Sequence, residues 1–173
     1  MDRPKFPAER VDFGPAIIWK NTILDRAYVN YELLTRPSKL VEEFDSFRAE
    51  HRAWLEDYSL FMAIKESQNG EPWNLWPKPL KFRETSALEE FSREKRSQIE
   101  KHQFSQFLFF RQWNALKQYA HAQGIQIIGD IPFVIAQDSA DVWANPKLFL
   151  LDAELNPCLL YTSPSPRDRT RPR

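Results

Sequence analysis

Apolar residues recur at helical spacing along most of the chain. From Pro15 to about Leu34 they fall at Ile17, Ile18, Leu24, Ala27, Tyr28, Tyr31 and Leu34, which predicts a first helix. Pro37 breaks it, and Ser38 is a good N-cap for a second helix with Leu40, Val41, Phe44 and Phe47 on one face. A third apolar set, Trp54, Leu55, Tyr58, Phe61 and Met62, ends at the turn pair Asn69-Gly70. The stretch Glu71–Pro79 holds three prolines and excludes a regular helix. Ser86 and Glu89 read as a capping box opening a further helix that runs through many charges toward Lys101. Phe104, Phe107, Leu108, Phe110, Trp113, Leu116 and Tyr119 then make an apolar face too wide for a surface helix. Gly124 stands where a helix-ending glycine belongs.

One segment breaks the helical period. Ile125-Gln126-Ile127-Ile128-Gly129-Asp130-Ile131-Pro132 is short, β-branched and nearly all apolar, as expected of a strand buried on both faces. Helix, glycine cap and strand make half of an αβ unit. Asp138-Ser139-Ala140-Asp141 follows as the start of a short helix capped by Asp138 or Ser139, and Asn145-Pro146 interrupts it. A single parallel-type strand makes no sheet, and a (β/α)₈ barrel takes about 250 residues. The pattern reads as a piece cut from a larger α/β enzyme.

Composition narrows the function class. The 173 residues carry 24 basic and 24 acidic side chains, and this balance argues against nucleic acid as a partner. No run approaches the roughly 18 apolar residues of a membrane span, and the start has no apolar signal region. One cysteine builds no disulfide framework. A cytoplasmic protein is expected. The last sixteen residues, Cys158–Arg173, differ from the rest: four Arg, one Asp and three Pro, with no apolar period. Either they form a basic disordered tail or they are translated sequencing-adapter DNA, since Cys158 to Asp168 back-translates to a transposon-type adapter. The second reading is preferred and excludes the segment from fold reasoning.

Candidate chemistry concentrates near the strand. Asp130 lies at its C-terminal end, where barrel enzymes carry binding and catalytic groups; capping of the following loop is the alternative. Asp138 and Asp141, three apart, either hold a substrate hydroxyl or act as an N-cap and a first-turn acid. Trp143, and the Trp73/Trp76 loop, offer flat faces for sugar rings or serve as packing. Tyr58, beside Glu56 and Asp57, is open in the same way. His51, His102 and His121 are scattered among charges, so no metal site is expected. Four unclustered glycines make no phosphate loop, no activated-nucleophile motif occurs, and no cofactor is expected. Arg93–Arg96 reads as a solvated helix face.

These residues also resemble a known family. Ile128-Gly129-Asp130-Ile131-Pro132 followed by Asp138-Ser139-Ala140-Asp141-Val142-Trp143-Ala144-Asn145-Pro146 resembles the 4-alpha-glucanotransferases (amylomaltases, glycoside hydrolase family 77). So do Trp54–Met62, Pro72-Trp73-Asn74, Leu108–Trp113 and Arg10–Gly14, in the family's order over roughly residues 5–157. Phe133–Gln137 departs from the usual pattern. The resemblance implies a fragment of a (β/α)₈ TIM barrel with a mostly helical inserted subdomain, residues 1–104 being mainly that subdomain. Residues 105–157 would supply a barrel helix, an inner strand and its loop, with 158–173 outside the fold. It implies transfer of α-1,4-glucan segments between maltooligosaccharides with retention. Asp130 would line the sugar subsite next to the scissile bond, and Tyr58 an accessory glucan-contacting surface. Asp138, Asp141 and Trp143 complete the substrate-binding set. The catalytic carboxylates are expected outside this chain, so the chain alone is expected to be inactive. The alternatives are a non-catalytic helical interaction module and a barrel hydrolase that passes the glycosyl group to water.

Overall fold

A computed structural model describes residues 4, 6–34, 38–130 and 135–158. Among the described residues seven helices form, six in the stretches predicted and a seventh, of four residues, that begins inside the proline-rich stretch Glu71–Pro79. They are α1 (Phe13–Glu32), α2 (Lys39–Glu50), α3 (Arg52–Ser67), α4 (Lys78–Lys81), α5 (Thr85–Glu94), α6 (Arg96–Ala122) and α7 (Ala140–Ala144). Single 3₁₀ turns follow at Trp73–Leu75 and Pro146–Leu148. Ser38 caps α2 by accepting from the Val41 N–H, and Ser139, not Asp138, caps α7 by accepting from the Val142 N–H. Gly124, at φ 74°, ends α6. The Gly124 N–H bonds the His121 carbonyl and the Ile125 N–H bonds the Ala120 carbonyl, the paired bonds of a Schellman turn.

The expected capping box is not formed. Helix α5 starts at Thr85 after Glu84, with no side-chain cap. Its predicted run toward Lys101 is broken at Lys95, whose φ of −109° separates α5 from α6.

The long helix α6 packs against α1, α2, α3 and α5, and α3 packs against both α6 and α7. Two aromatic cores result. In the first, Tyr28 and Tyr31 from α1, Phe44 and Phe47 from α2 and Leu55 from α3 close over Phe104 and Phe107 of α6. Edge-to-face contacts of Phe44 with Tyr31 (5.3 Å) and Phe104 (5.4 Å) lock it. In the second, Phe61 and Ile64 of α3 meet Trp73, Trp76, Val142 and Trp143. Because α7 packs on α3, this core joins the two sides of the boundary expected at residue 104.

The expected strand is absent from the described residues. Residues 125–130 are irregular and exposed, Ile128 at 92%. A strand exists only as one member of a ladder, and none of the described segments pairs with this one. Residues 131–132, the rest of the expected strand, lie outside the described residues, as do 133–134 of the divergent loop. The one β-bridge among the described residues joins Leu151 to Pro157. Its turn is held by the Asp152 carboxylate, which accepts from the Glu154 and Asn156 N–H groups, both at 2.9 Å. Those bonds hold the carboxyl below the usual aspartate range. Leu155 in this turn has φ 58°, and the Cys158 N–H reaches the Leu150 carbonyl at 3.0 Å.

Candidate functional site

The helix α3 presents Ala53, Trp54, Asp57 and Tyr58 on one side, because positions three and four apart share a helix face. Opposite them stand Ala140, Asp141, Ala144 and Asn145 of α7 and its C-terminal cap. Between the two walls is a cleft of about 170 Å³. It brings together two of the five sequence-predicted residues, Tyr58 and Asp141.

Tyr58 and Asp57 are held by partners from outside the cleft lining. The Tyr58 hydroxyl accepts from Gln106 Nε2 of α6 at 3.0 Å. Burial raises the Tyr58 pKa, against the pull of that hydrogen bond, so the phenol stays neutral. The Asp57 carboxylate pairs with Arg83 Nη2. Arg83 sits in the left-handed backbone region at φ 57°, with its guanidinium 4.1 Å above the Trp143 ring. Trp54, 37% exposed, packs edge-on against Tyr58 with ring centres 6.0 Å apart. Asn145 Nδ2 donates to the Asp141 carbonyl.

The lining is two carboxylates, a phenol, a carboxamide and an indole edge, and no lysine or arginine lines it. Such a surface accepts hydrogen bonds from hydroxyls and meets C–H faces with the ring, as suits a neutral polyol better than an anion.

The other three predicted residues lie elsewhere. Trp143 is 1% exposed, its Nε1 donates to the Leu80 carbonyl at 3.0 Å, and Phe61, Trp76 and Arg83 crowd its ring. The packing alternative for this tryptophan therefore holds in the structure, and no face is open to a sugar. Trp73 and Trp76 are buried as well. Asp138 is neither cap nor cleft residue: it pairs with Lys65 Nζ and accepts from the Trp73 N–H at 3.3 Å. Asp130 ends the exposed 125–130 segment, away from the cleft lining. The reading of single residues passed over Trp54, Asp57 and Asn145. The shared α3 face of Trp54, Asp57 and Tyr58 carried that signal, but the partner wall across the cleft did not show in the spacing.

Among the described residues no cluster of His, Cys, Asp or Glu could hold a metal, and no helix is long and apolar enough to cross a membrane.

Comparison with known proteins places this geometry in a family. The 4-alpha-glucanotransferase family model matches residues 2–168, a span that runs past Cys158 into the Arg-rich end segment. The 4-alpha-glucanotransferase of Thermus thermophilus is 45% identical over 95% of this chain and 33% of its own length. That of Synechocystis is 43% identical over 87% of this chain and 30% of its own. The fold is similar to that of an amylomaltase from Streptococcus agalactiae solved in complex with acarbose. The TM-score is 0.78 and the identity 34%, over 85% of this chain and 29% of that one. The chain spans about a third of the length of the curated relatives it matches, and it belongs to the 4-alpha-glucanotransferase family, glycoside hydrolase family 77.

Proposed function

We propose that the whole protein transfers α-1,4-glucan segments between maltooligosaccharides, and that this chain supplies part of its glucan-binding frame. The carrying observation is the likeness in fold and sequence to an amylomaltase solved with acarbose, an oligosaccharide. In this reading residues 125–130 take their place as an inner strand of a (β/α)₈ barrel, with Asp130 at its end facing a sugar. The α3–α7 cleft, with Tyr58 and Asp141 on opposite walls, forms an outer glucan contact.

Transfer with retention requires a nucleophilic carboxylate and an acid/base carboxylate about 5–5.5 Å apart. The nucleophile displaces the leaving sugar, whose oxygen takes the acid's proton. The 4-hydroxyl of an acceptor then gives its proton to the same group and displaces the enzyme carboxylate. No residue of this chain is assigned to either role, so the isolated 173 residues are inactive. A cytoplasmic location is part of this reading.

The test is incubation with maltotriose. The whole protein should yield glucose and maltopentaose with no rise in reducing ends, and the isolated chain should yield nothing. A rise in reducing ends would establish hydrolysis, and turnover by the isolated chain would overturn its assigned inactivity.

A further inference from the structure

We infer that Asp138 is a positioning residue rather than a sugar ligand: with Lys65 and Trp73 it clamps α7 at a set distance from α3. This deepens the proposed function and rests on it for the identity of the cleft's ligand.

Both carboxylate oxygens of Asp138 are committed. Oδ2 pairs with Lys65 Nζ near the end of α3, and Oδ1 accepts from the Trp73 N–H at 3.3 Å. The neighbouring residue completes the clamp, since Trp73 Nε1 donates to the Gln137 carbonyl at 2.7 Å. Three bonds thus tie the segment just before α7 to the last turn of α3 and to Trp73 beyond it. Trp73 is 1% exposed, so its ring cannot swing away without opening the second core. The Lys65 side chain is only a quarter exposed, and its ammonium also lies 5.8 Å from the Phe61 ring centre.

The consequence lies across the cleft. Asp141 stands three residues beyond Asp138, on the wall that faces Tyr58. Helix α7 has only five residues and cannot hold itself in place by its own backbone bonds. Its distance from α3 is set by the Trp143 anchor at one end and by the clamp at the other. A charge-assisted bond to a carboxylate is directional and stronger than a neutral one, so losing it should let the N-terminal end of α7 drift. Hydroxyl recognition tolerates little such drift, because a hydrogen bond weakens steeply once its angle falls below about 120°.

The experiment has two arms. In the first, amide exchange is followed by mass spectrometry in the full 173-residue chain for Asp138→Asn, Lys65→Met and Asp138→Glu. Asp138→Asn and Lys65→Met should each speed exchange across residues 137–145 by tenfold or more and leave α2 and the first half of α6 unchanged. Asp138→Glu, which keeps the charge, should recover most of the protection. In the second arm the same changes are made in the whole transferase with maltotriose as donor. KM should rise about fivefold in Asp138→Asn and Lys65→Met alike and return toward normal in Asp138→Glu; a chain merely less folded would lose rate at constant KM. Unchanged exchange in Lys65→Met would overturn the inference. So would a transfer defect in Asp138→Asn that Lys65→Met does not share, the pattern of a direct sugar ligand. Should Asp138→Asn fail to fold, Lys65→Met against wild type carries the same comparison. Changed exchange in a whole protein that transfers no glucan would sustain the clamp and reject the glucan reading.

Discussion

In the first half of α6, Phe104 and Phe107 are buried against Tyr28, Tyr31, Phe44 and Phe47. In the second half of the same helix, Phe109, Leu116 and Tyr119 are more than half exposed, and Ile125 and Ile128 beyond it are exposed as well. Both halves are equally helical, and both carry aromatic residues at helical spacing. The difference lies in what faces them: α1 and α2 supply rings over the first half, and no described segment covers the second half in the same way. Helix formation here is local, whereas burial is a property of the partners. The exposed half is an apolar surface of the kind that marks an interface.

The sharpest way to break this comparison is to hollow out the covered half. Phe44 is fully buried against the rings of Tyr31, Phe104 and Phe107, and Phe44→Ala should cost about 3–5 kcal/mol through lost burial and the cavity left behind, measured by urea unfolding. A loss below about 1 kcal/mol would mean that the ring cluster is loosely packed. The helix starts are next in size. Ser38→Ala and Ser139→Ala should each cost about 1 kcal/mol, since each removes the acceptor for an N-terminal N–H.

A pH titration sharpens the picture at the α1–α3–α6 contact. Burial lowers the His102 pKa, while Glu66, whose Oε1 lies 3.2 Å away, pulls it up and Lys101 pushes it down. A histidine whose folded pKa lies below its unfolded value of about 6.5 binds fewer protons in the folded chain. Stability should therefore fall as pH drops below about 6.5 and level off below the folded pKa, and His102→Gln should flatten that slope. At the alkaline end, burial pushes Tyr28 up to about 12, so stability should decline as pH rises from 10 toward 12, and Tyr28→Phe should lessen the decline, leaving the share of Tyr58, whose pKa burial also raises. The smallest effect belongs to the uncovered half. Ile128→Ser should change unfolding stability by less than about 0.5 kcal/mol, yet lower the binding of a hydrophobic dye. A large stability loss from this change would mean that the segment is packed after all.

The same contrast explains what could be read from the residues. The helices and their ends were legible because their causes are local: apolar spacing, a serine at Ser38, a glycine at Gly124. The capping box at Ser86 misled because α5 starts at Thr85, and the chain entering from Arg83 is held by Asp57 and Trp143 rather than by a cap. The strand expected from Ile125 does not form among the described residues 125–130, because its composition describes a segment with neighbours on both sides, and neighbours are not encoded in the segment itself. Half of the cleft was legible. Tyr58 stood out beside Glu56 and Asp57, and Asp141 by its spacing of three from Asp138, but their facing across α3 and α7 depends on tertiary packing. Trp143 had the right chemistry for a sugar platform and is used for packing. The partners of Asp138 lie 73 and 65 residues away, at Lys65 and Trp73, beyond any spacing rule.

Amide hydrogen exchange along the whole 173-residue chain tests the central contrast most directly. The account predicts strong protection at residues 55–64 and 103–107, and near-free exchange at 125–130. Protection of 125–130 comparable to that of α3 would contradict it, because the segment would then already have partners within this chain.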